Sequence, residues 1–318
     1  MAREDYVPVT GDDWYQRRRD DAEGRFFRKV ADQGPRKGAG GSTRQGIYCF
    51  TASGKLLAYK NAGQAPEVMR DVLKQALRQW QKLPASERQP GAVQVGEPGK
   101  ADQRYARTPP PGGLVLNVFT RILDRDEKEG FRKGACQAAW GDMAARDHLW
   151  LTEAEWKALI PADPKKGGER PVPAAVVERI ARFHLVDNTR GEPPLWRRDQ
   201  VRSKKMTLTV EAVTPKEVRL RLDGSALLAT KADPKEADRG YDVRLLGYVT
   251  YDPAARKVTR FDVVAVGDHW GEGTFTRGAR PGRAPLGVAF ELSAGKSAAD
   301  TVPPQGAREW AEYMGRNR

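Results

Sequence analysis

GIYCFTASGKLLAYKNAGQAPEVMRDVLKQALRQWQKL, residues 46 to 83, carries the clearest structural pattern in the chain. Ile47 to Phe50 and Leu56 to Tyr59 are short apolar runs on either side of Ser53-Gly54. Two runs joined this tightly pair back on each other, so the spacing predicts a β-hairpin. Pro66 then opens a pattern in which Val68, Met69, Val72, Leu73, Ala76, Leu77 and Trp80 recur at three- and four-residue steps. That period gathers these apolar residues on one face of an α-helix. Proline suits the first helical position, where the amide hydrogen it lacks would have no intrahelical acceptor.

Upstream, Tyr6 to Val9 reads as a short strand and Trp14 to Gln33 as a helix, with Phe26, Phe27 and Val30 on its apolar side. Gly34 to Thr43 is a glycine-rich loop. The GAGGST within it is not a phosphate cradle of the P-loop type. Lys37 precedes the glycines instead of following them, and a strand, not a helix, comes next.

The order strand, helix, strand, strand, helix over Tyr6 to Trp80 resembles the later part of a thioredoxin-like fold. There an apolar strand, a Ser-Gly or Asp-Gly turn and a second strand precede the closing helix. The resemblance implies two cysteines separated by two residues ahead of the first strand, and a cis-proline just before the hairpin. Neither is present, and Thr43-Arg44-Gln45-Gly46 occupies the place of the proline. Thiol–disulfide exchange needs a thiolate and usually a resolving thiol. Cys49, alone on a strand, is not expected to be a redox centre. Residues 1–83 are therefore expected to be a thioredoxin-like domain without its redox motif.

Residues 84–113 contain SERQPG, GEPGK and TPPPGG, and read as an extended linker. A second domain, 114–318, follows. Leu114 to Leu123 is a strand, Thr152-Glu153-Ala154-Glu155 is a capping box, and Pro173 to Leu185 is a helix. From about Met206 to Ser293 the period changes to two. MTLTVEAV, VRLRLDG, SALLATK, VRLLGYVTYD, KVTRFDVVAVG and LGVAFELS predict half-buried antiparallel strands. The expected class is α+β, with the sheet forming a sandwich or a partly closed barrel. Ala307 to Met314 is a short terminal helix with Trp310 docking.

Composition excludes several classes. No apolar run is long enough to span a bilayer. Two distant cysteines, Cys49 and Cys136, exclude a disulfide scaffold and leave open whether they pair. The first residues lack a signal peptide's apolar core, so the cytoplasm is the default compartment. An extracytoplasmic one follows if the natural chain starts upstream. The formal charge of +13 attracts polyanions, but its basic residues are interleaved with acids, so no specific nucleic-acid binding is expected. The densest basic run, Trp196-Arg197-Arg198 to Lys204-Lys205, reads as an exposed connector.

One polar cluster stands out. Asp268, His269 and Glu272 fall within five positions beside Gly267, Gly271 and Gly273, where the strand FDVVAV is expected to end in a loop. Such groups supply acid and base chemistry. Trp270 would wall a pocket, and Arg277, Arg280 and Arg283 in the next loop would hold an anionic ligand. The bland alternative is a structural histidine with exposed arginines. His148 and His184 match no zinc spacing with His269 or Cys136, and no metal or other cofactor is expected. The sequence reads first as a non-catalytic binding or structural protein whose partner is a protein or an anionic ligand. An oxidoreductase-related chain without its active segment, and a hydrolase or metal-binding domain centred on His269, remain as alternatives.

Overall fold

A computed structural model of the chain describes residues 4–38, 42–63, 65–94, 96–97, 99–128, 130–133 and 144–315. The chain divides into two compact units, Met1–Arg107 and Thr108–Arg318.

In the first unit, α1 (Asp13–Gln16) and α2 (Ala22–Ala31) precede an antiparallel hairpin of β1 (Ile47–Phe50) and β2 (Leu56–Lys60). α3 (Pro66–Gln81) and α4 (Ala85–Arg88) follow. The hairpin and α3 form where the periodicity predicts them. Each of the apolar positions named for α3 is buried or half-buried, Ala76 completely. Cys49, Ala58 and Ala76 form a small core flanked by Tyr6, Leu57, Val72 and Leu73.

Three expectations change here. Trp14 to Gln33 is not one helix, because the Asp21 carboxylate accepts the Gly24 amide and starts α2 afresh. Tyr6 to Val9 forms no strand: Val7 and Val9 are exposed, and Tyr6 is tied by its hydroxyl to the Leu73 carbonyl at 2.7 Å. The sheet of this unit therefore has two strands among the described residues, and the thioredoxin-like order lacks its first strand. Finally, the expected linker packs onto this unit beyond Leu83. The Asp102 amide donates to Asp21 at 2.7 Å and the Asp20 amide donates to Asp102 at 3.0 Å. These anchors are polar, so apolar periodicity does not reveal them.

The second unit is built on β3 (Leu114–Ile122), β4 (Ala144–Leu151), β5 (Glu169–Pro171), β6 (Val201–Val213), β7 (Val218–Ala229), β8 (Gly240–Asp252), β9 (Lys257–Trp270) and β10 (Ala284–Leu292). They form one eight-stranded antiparallel sheet in the order β4-β3-β10-β9-β8-β7-β6-β5. It is neither a two-sheet sandwich nor a closed barrel. The sheet also starts earlier than the period-two region, since β3 pairs with β10 and recruits β4. VRLRLDG and SALLATK are one continuous strand, β7, with Gly224 inside the ladder.

One face of the sheet buries the core, including Leu116, Leu220, Val243, Phe261, Val288 and Phe290. α5 (Glu153–Lys157), α6 (Ala174–Arg179) and α7 (Trp310–Tyr313) contribute Trp156, Val176 and Tyr313 to the same core. The capping box of α5 forms as expected, with Thr152 and Glu155 exchanging hydrogen bonds. α6 runs on into a π-helical turn, Ile180–His184, and every residue from Arg179 to Asp187 is buried. The opposite face is solvated: Leu246 and Val264 are exposed there among Arg244, Arg260, Asp242 and Asp262. Trp196 is not the head of an exposed run. Its indole is buried and donates to the Leu185 carbonyl at 2.8 Å. Among the described residues no helix is long and apolar enough to cross a membrane.

Candidate functional site

β9 does not end at Val266. Gly267 pairs with both Val243 and Leu286, and the strand continues to Trp270. The turn comes one residue later, at Gly271, whose φ of 79° favours glycine. Extending the strand decides where the cluster points, because side chains alternate between the two faces. His269 lies opposite Tyr241 on the core face, their rings 5.9 Å apart. Asp268 points to the open face and pairs with Arg125 at 3.0 Å. Glu272 lies in the loop beyond. It accepts from Arg277 at 2.8 Å and from the Gly278 and Ala279 amides, which makes it an anchor of its own loop. The expected Asp268–His269–Glu272 constellation is therefore not assembled.

Other residues meet His269. Asp187, Arg190 and Arg280 share a small chamber with it, and none of the first two was singled out from sequence. Asp187 accepts from the Thr189 amide and hydroxyl at 3.0 and 2.6 Å and from Arg190 Nε at 2.9 Å. Arg190 continues to the carbonyls of Thr276 and Gly271. Arg280 donates to the carbonyls of Leu123 and Pro285 and lies 3.5 Å from Asp124. Arg239 is buried, stacks 3.9 Å above the Trp196 ring and donates to the Pro194 carbonyl. It has no carboxylate partner among the described residues, and burial pulls its guanidinium down to about 10.

Burial is also the main reason the His269 imidazole sits well below the ordinary histidine range. Asp187 opposes that shift, while Arg190, Arg239 and Arg280 reinforce it. For Asp187 itself burial acts upward, but the Thr189 hydrogen bond and neighbouring positive charge carry the carboxyl downward. Asp187 is thus an ion-paired carboxylate beside an imidazole whose protonation burial disfavours.

Outside the chamber lies an open groove of about 600 Å³. Pro234, Lys235, Ala237, Trp270, Arg280 and Arg283 are among the residues that line it. Trp270 donates its indole N–H to the Ala237 carbonyl at 2.8 Å, and its ring lies over Gly240, where any Cβ would come within 2.1 Å of it. Arg283 stacks 3.9 Å above the ring and reaches the Pro234 carbonyl at 3.3 Å. No acidic side chain lines the groove among the described residues. The structure thus brings together Trp270, Arg280 and Arg283 of the sequence reading, adds Lys235, and leaves Arg277 with Glu272.

The remaining candidates lie elsewhere. His184 Nε2 meets the Tyr313 hydroxyl at 3.0 Å and its Nδ1 lies 3.5 Å from Asp147; His148 lies near Asp147 and Asp300. No group of three histidine, cysteine, aspartate or glutamate side chains suited to a metal occurs among the described residues. Cys136 lies outside them, as does part of GAGGST. Cys49 is a free, buried thiol, and burial pushes its titration up. A thiol that resists ionisation is a poor nucleophile. In a Cys136→Ala protein, a thiol reagent is expected to label Cys49 at least about tenfold faster in denaturant than in buffer. Equal rates in the two conditions would show an accessible thiolate.

No protein-family model, curated protein or solved structure matches this chain.

Proposed function

We propose that the second unit is a binding module for a small oxyanion, with the Trp270 groove as its site. The observation that carries this reading is the wall chemistry: Lys235, Arg280 and Arg283 line the groove with Trp270, and no acidic residue lines it among those described. Cationic side chains recognise carboxylate, sulfate or phosphate through charge-assisted hydrogen bonds. The formal charge of +13 would favour the encounter with any anion. The first unit enters this reading as a scaffold. Its hairpin and α3 keep the order that resembles a thioredoxin-like fold, and its one described cysteine is buried.

A hydrolase centred on His269 has less support. A general base is usually oriented by a hydrogen bond from its other nitrogen. The Asp187 oxygens are engaged by Thr189 and Arg190, and no such bond to His269 forms among the described residues.

Titration calorimetry with sulfate and acetate tests the reading. One saturable site is expected for at least one of them. Arg283→Ala and Lys235→Ala should each weaken it by roughly 10- to 100-fold, the usual worth of a charge-assisted hydrogen bond. Both side chains are exposed, so the fold should be retained. Unchanged affinity in both variants, or no saturable binding of either anion, overturns the groove as the site.

A further inference from the structure

The chamber behind the groove has a volume of about 10 Å³, room for one water-sized atom. Trp270, Gly271, Ala279 and Arg280 line both spaces, so the chamber is the inner neighbour of the groove. His269 is 8% exposed and lines the chamber, and its ring nitrogens are not among the fully enclosed polar atoms, so the imidazole opens onto that space. A ring nitrogen that opens onto a space of this size can meet a water or a single ligand atom there.

The charges around it indicate which ligand atom fits. Arg190 is neutralised by Asp187, and Arg280 lies beside Asp124. Arg239 has no such partner among the described residues, which leaves positive charge in excess around the imidazole. We infer that one oxygen of the oxyanion bound in the groove enters this chamber and accepts a hydrogen bond from His269, which takes up a proton from solvent as the anion binds. The inference rests on the groove reading. No bond of the ligand is made or broken; one proton moves from solvent to the imidazole.

The sign follows from the groups that face His269. Asp187 and Arg190 come from the connection after the π-helical turn, Arg239 from the approach to β8, Tyr241 from β8, and Arg280 from the loop before β10. Asp268, its neighbour on β9, is turned toward Arg125. Burial and the three guanidinium groups outweigh Asp187 and disfavour the charged imidazole. An anionic oxygen at contact distance offsets the guanidinium field and favours the charged form. Proton and anion then tighten each other's binding reciprocally. Affinity should rise as pH falls through the liganded His269 range, by at most about tenfold per pH unit for a single proton.

Sulfate is the probe, because it keeps its charge between about pH 5 and 8, where histidine is the side chain that ordinarily titrates. Calorimetry on the full chain in two buffers of different ionisation enthalpy counts the protons taken up. The expected result is uptake of a fraction of a proton per sulfate, growing as pH is lowered. In His269→Gln the uptake should vanish, and whatever affinity remains should lose its pH slope. A second readout does not depend on that variant's stability: the ring resonance of His269 in the wild-type protein should shift toward the protonated position on adding sulfate, whereas those of His148 and His184 should not. Sulfate binding that is sensitive to Arg283→Ala but takes up no proton overturns this inference and leaves the groove reading intact. Failure of sulfate to bind while acetate still does overturns this inference alone; failure of both anions, or affinity unchanged in both Arg283→Ala and Lys235→Ala, overturns the groove reading with it.

Discussion

Arg179→Ala is expected to destabilise the second unit by about 3–5 kcal/mol, the range for breaking a buried ion pair from one side. Arg179 is fully buried, and its guanidinium holds three elements at once. Nε donates to the Tyr313 carbonyl at 2.5 Å, Nη1 to the Trp150 carbonyl at 2.9 Å, and Nη1 and Nη2 to the two Glu155 oxygens at 2.7 Å each. Trp150 lies on β4, an edge strand, and its amide donates to the Tyr313 hydroxyl at 3.2 Å. Side chains thus cover part of an edge that would otherwise offer free backbone groups for aberrant pairing. Alanine would strand the Glu155 carboxylate and two carbonyls.

The pH dependence gives an independent reading of the same pair. Burial alone would raise the Glu155 carboxyl, but hydrogen bonds from Arg179 and Thr152 more than reverse that and leave it below the ordinary glutamate range. A depressed carboxyl stabilises the fold above its unfolded-state value, about pH 4.3, and that contribution disappears as pH falls through the folded value. Urea unfolding at neutral pH should show the full loss in Arg179→Ala, with a smaller difference from wild type at low pH. The double variant Arg179→Met/Glu155→Gln should regain part of the loss, because no carboxylate is left stranded. A single-variant loss below about 1 kcal/mol, typical of an exposed pair, would refute the latch.

Gly271→Ala should damage both stability and the site. The residue adopts φ 79°, and an added Cβ would lie 1.9 Å from the Asp238 carbonyl oxygen. That oxygen belongs to the chain entering β8, so relief requires the two sides of the groove to separate. Left-handed strain for a non-glycine residue costs of order 1–3 kcal/mol, and the displaced backbone also carries the carbonyl that accepts from Arg190 at 3.2 Å. Sulfate affinity should fall at least about tenfold, and unfolding should shift by about 2–3 kcal/mol. Gly295→Ala is the matched control: its φ is 65°, but no atom lies within 4 Å of the added Cβ. It should cost only the backbone strain and leave sulfate binding unchanged. Equal behaviour of the two variants would mean that the close approach at Gly271 does not hold the site together.

Local pattern determined much of this protein. The hairpin around Ser53-Gly54, the helix from Pro66, the capping box at Thr152, the strand from Leu114 and most of the period-two strands were legible, because each depends on residues close in sequence. Trp270, Arg280 and Arg283 were legible as a cluster for the same reason. What the sequence alone left undecided were the pairings. Tyr6 to Val9 has strand-like composition but finds no ladder, whereas β3 and β4 join the large sheet only through contact with β10. The site turned on one residue of strand length. With β9 ending at Val266, Asp268 and Glu272 would be the natural partners of His269. With β9 running on so that His269 pairs with Tyr241 and Ala284 and Trp270 pairs with Gly240, alternation sends Asp268 to the solvated face and His269 inward. Asp187, Arg190 and Arg239 reach the imidazole from distant parts of the chain. Their proximity is set by how the buried π-helical turn and the start of β8 pack against the sheet, which no local periodicity encodes.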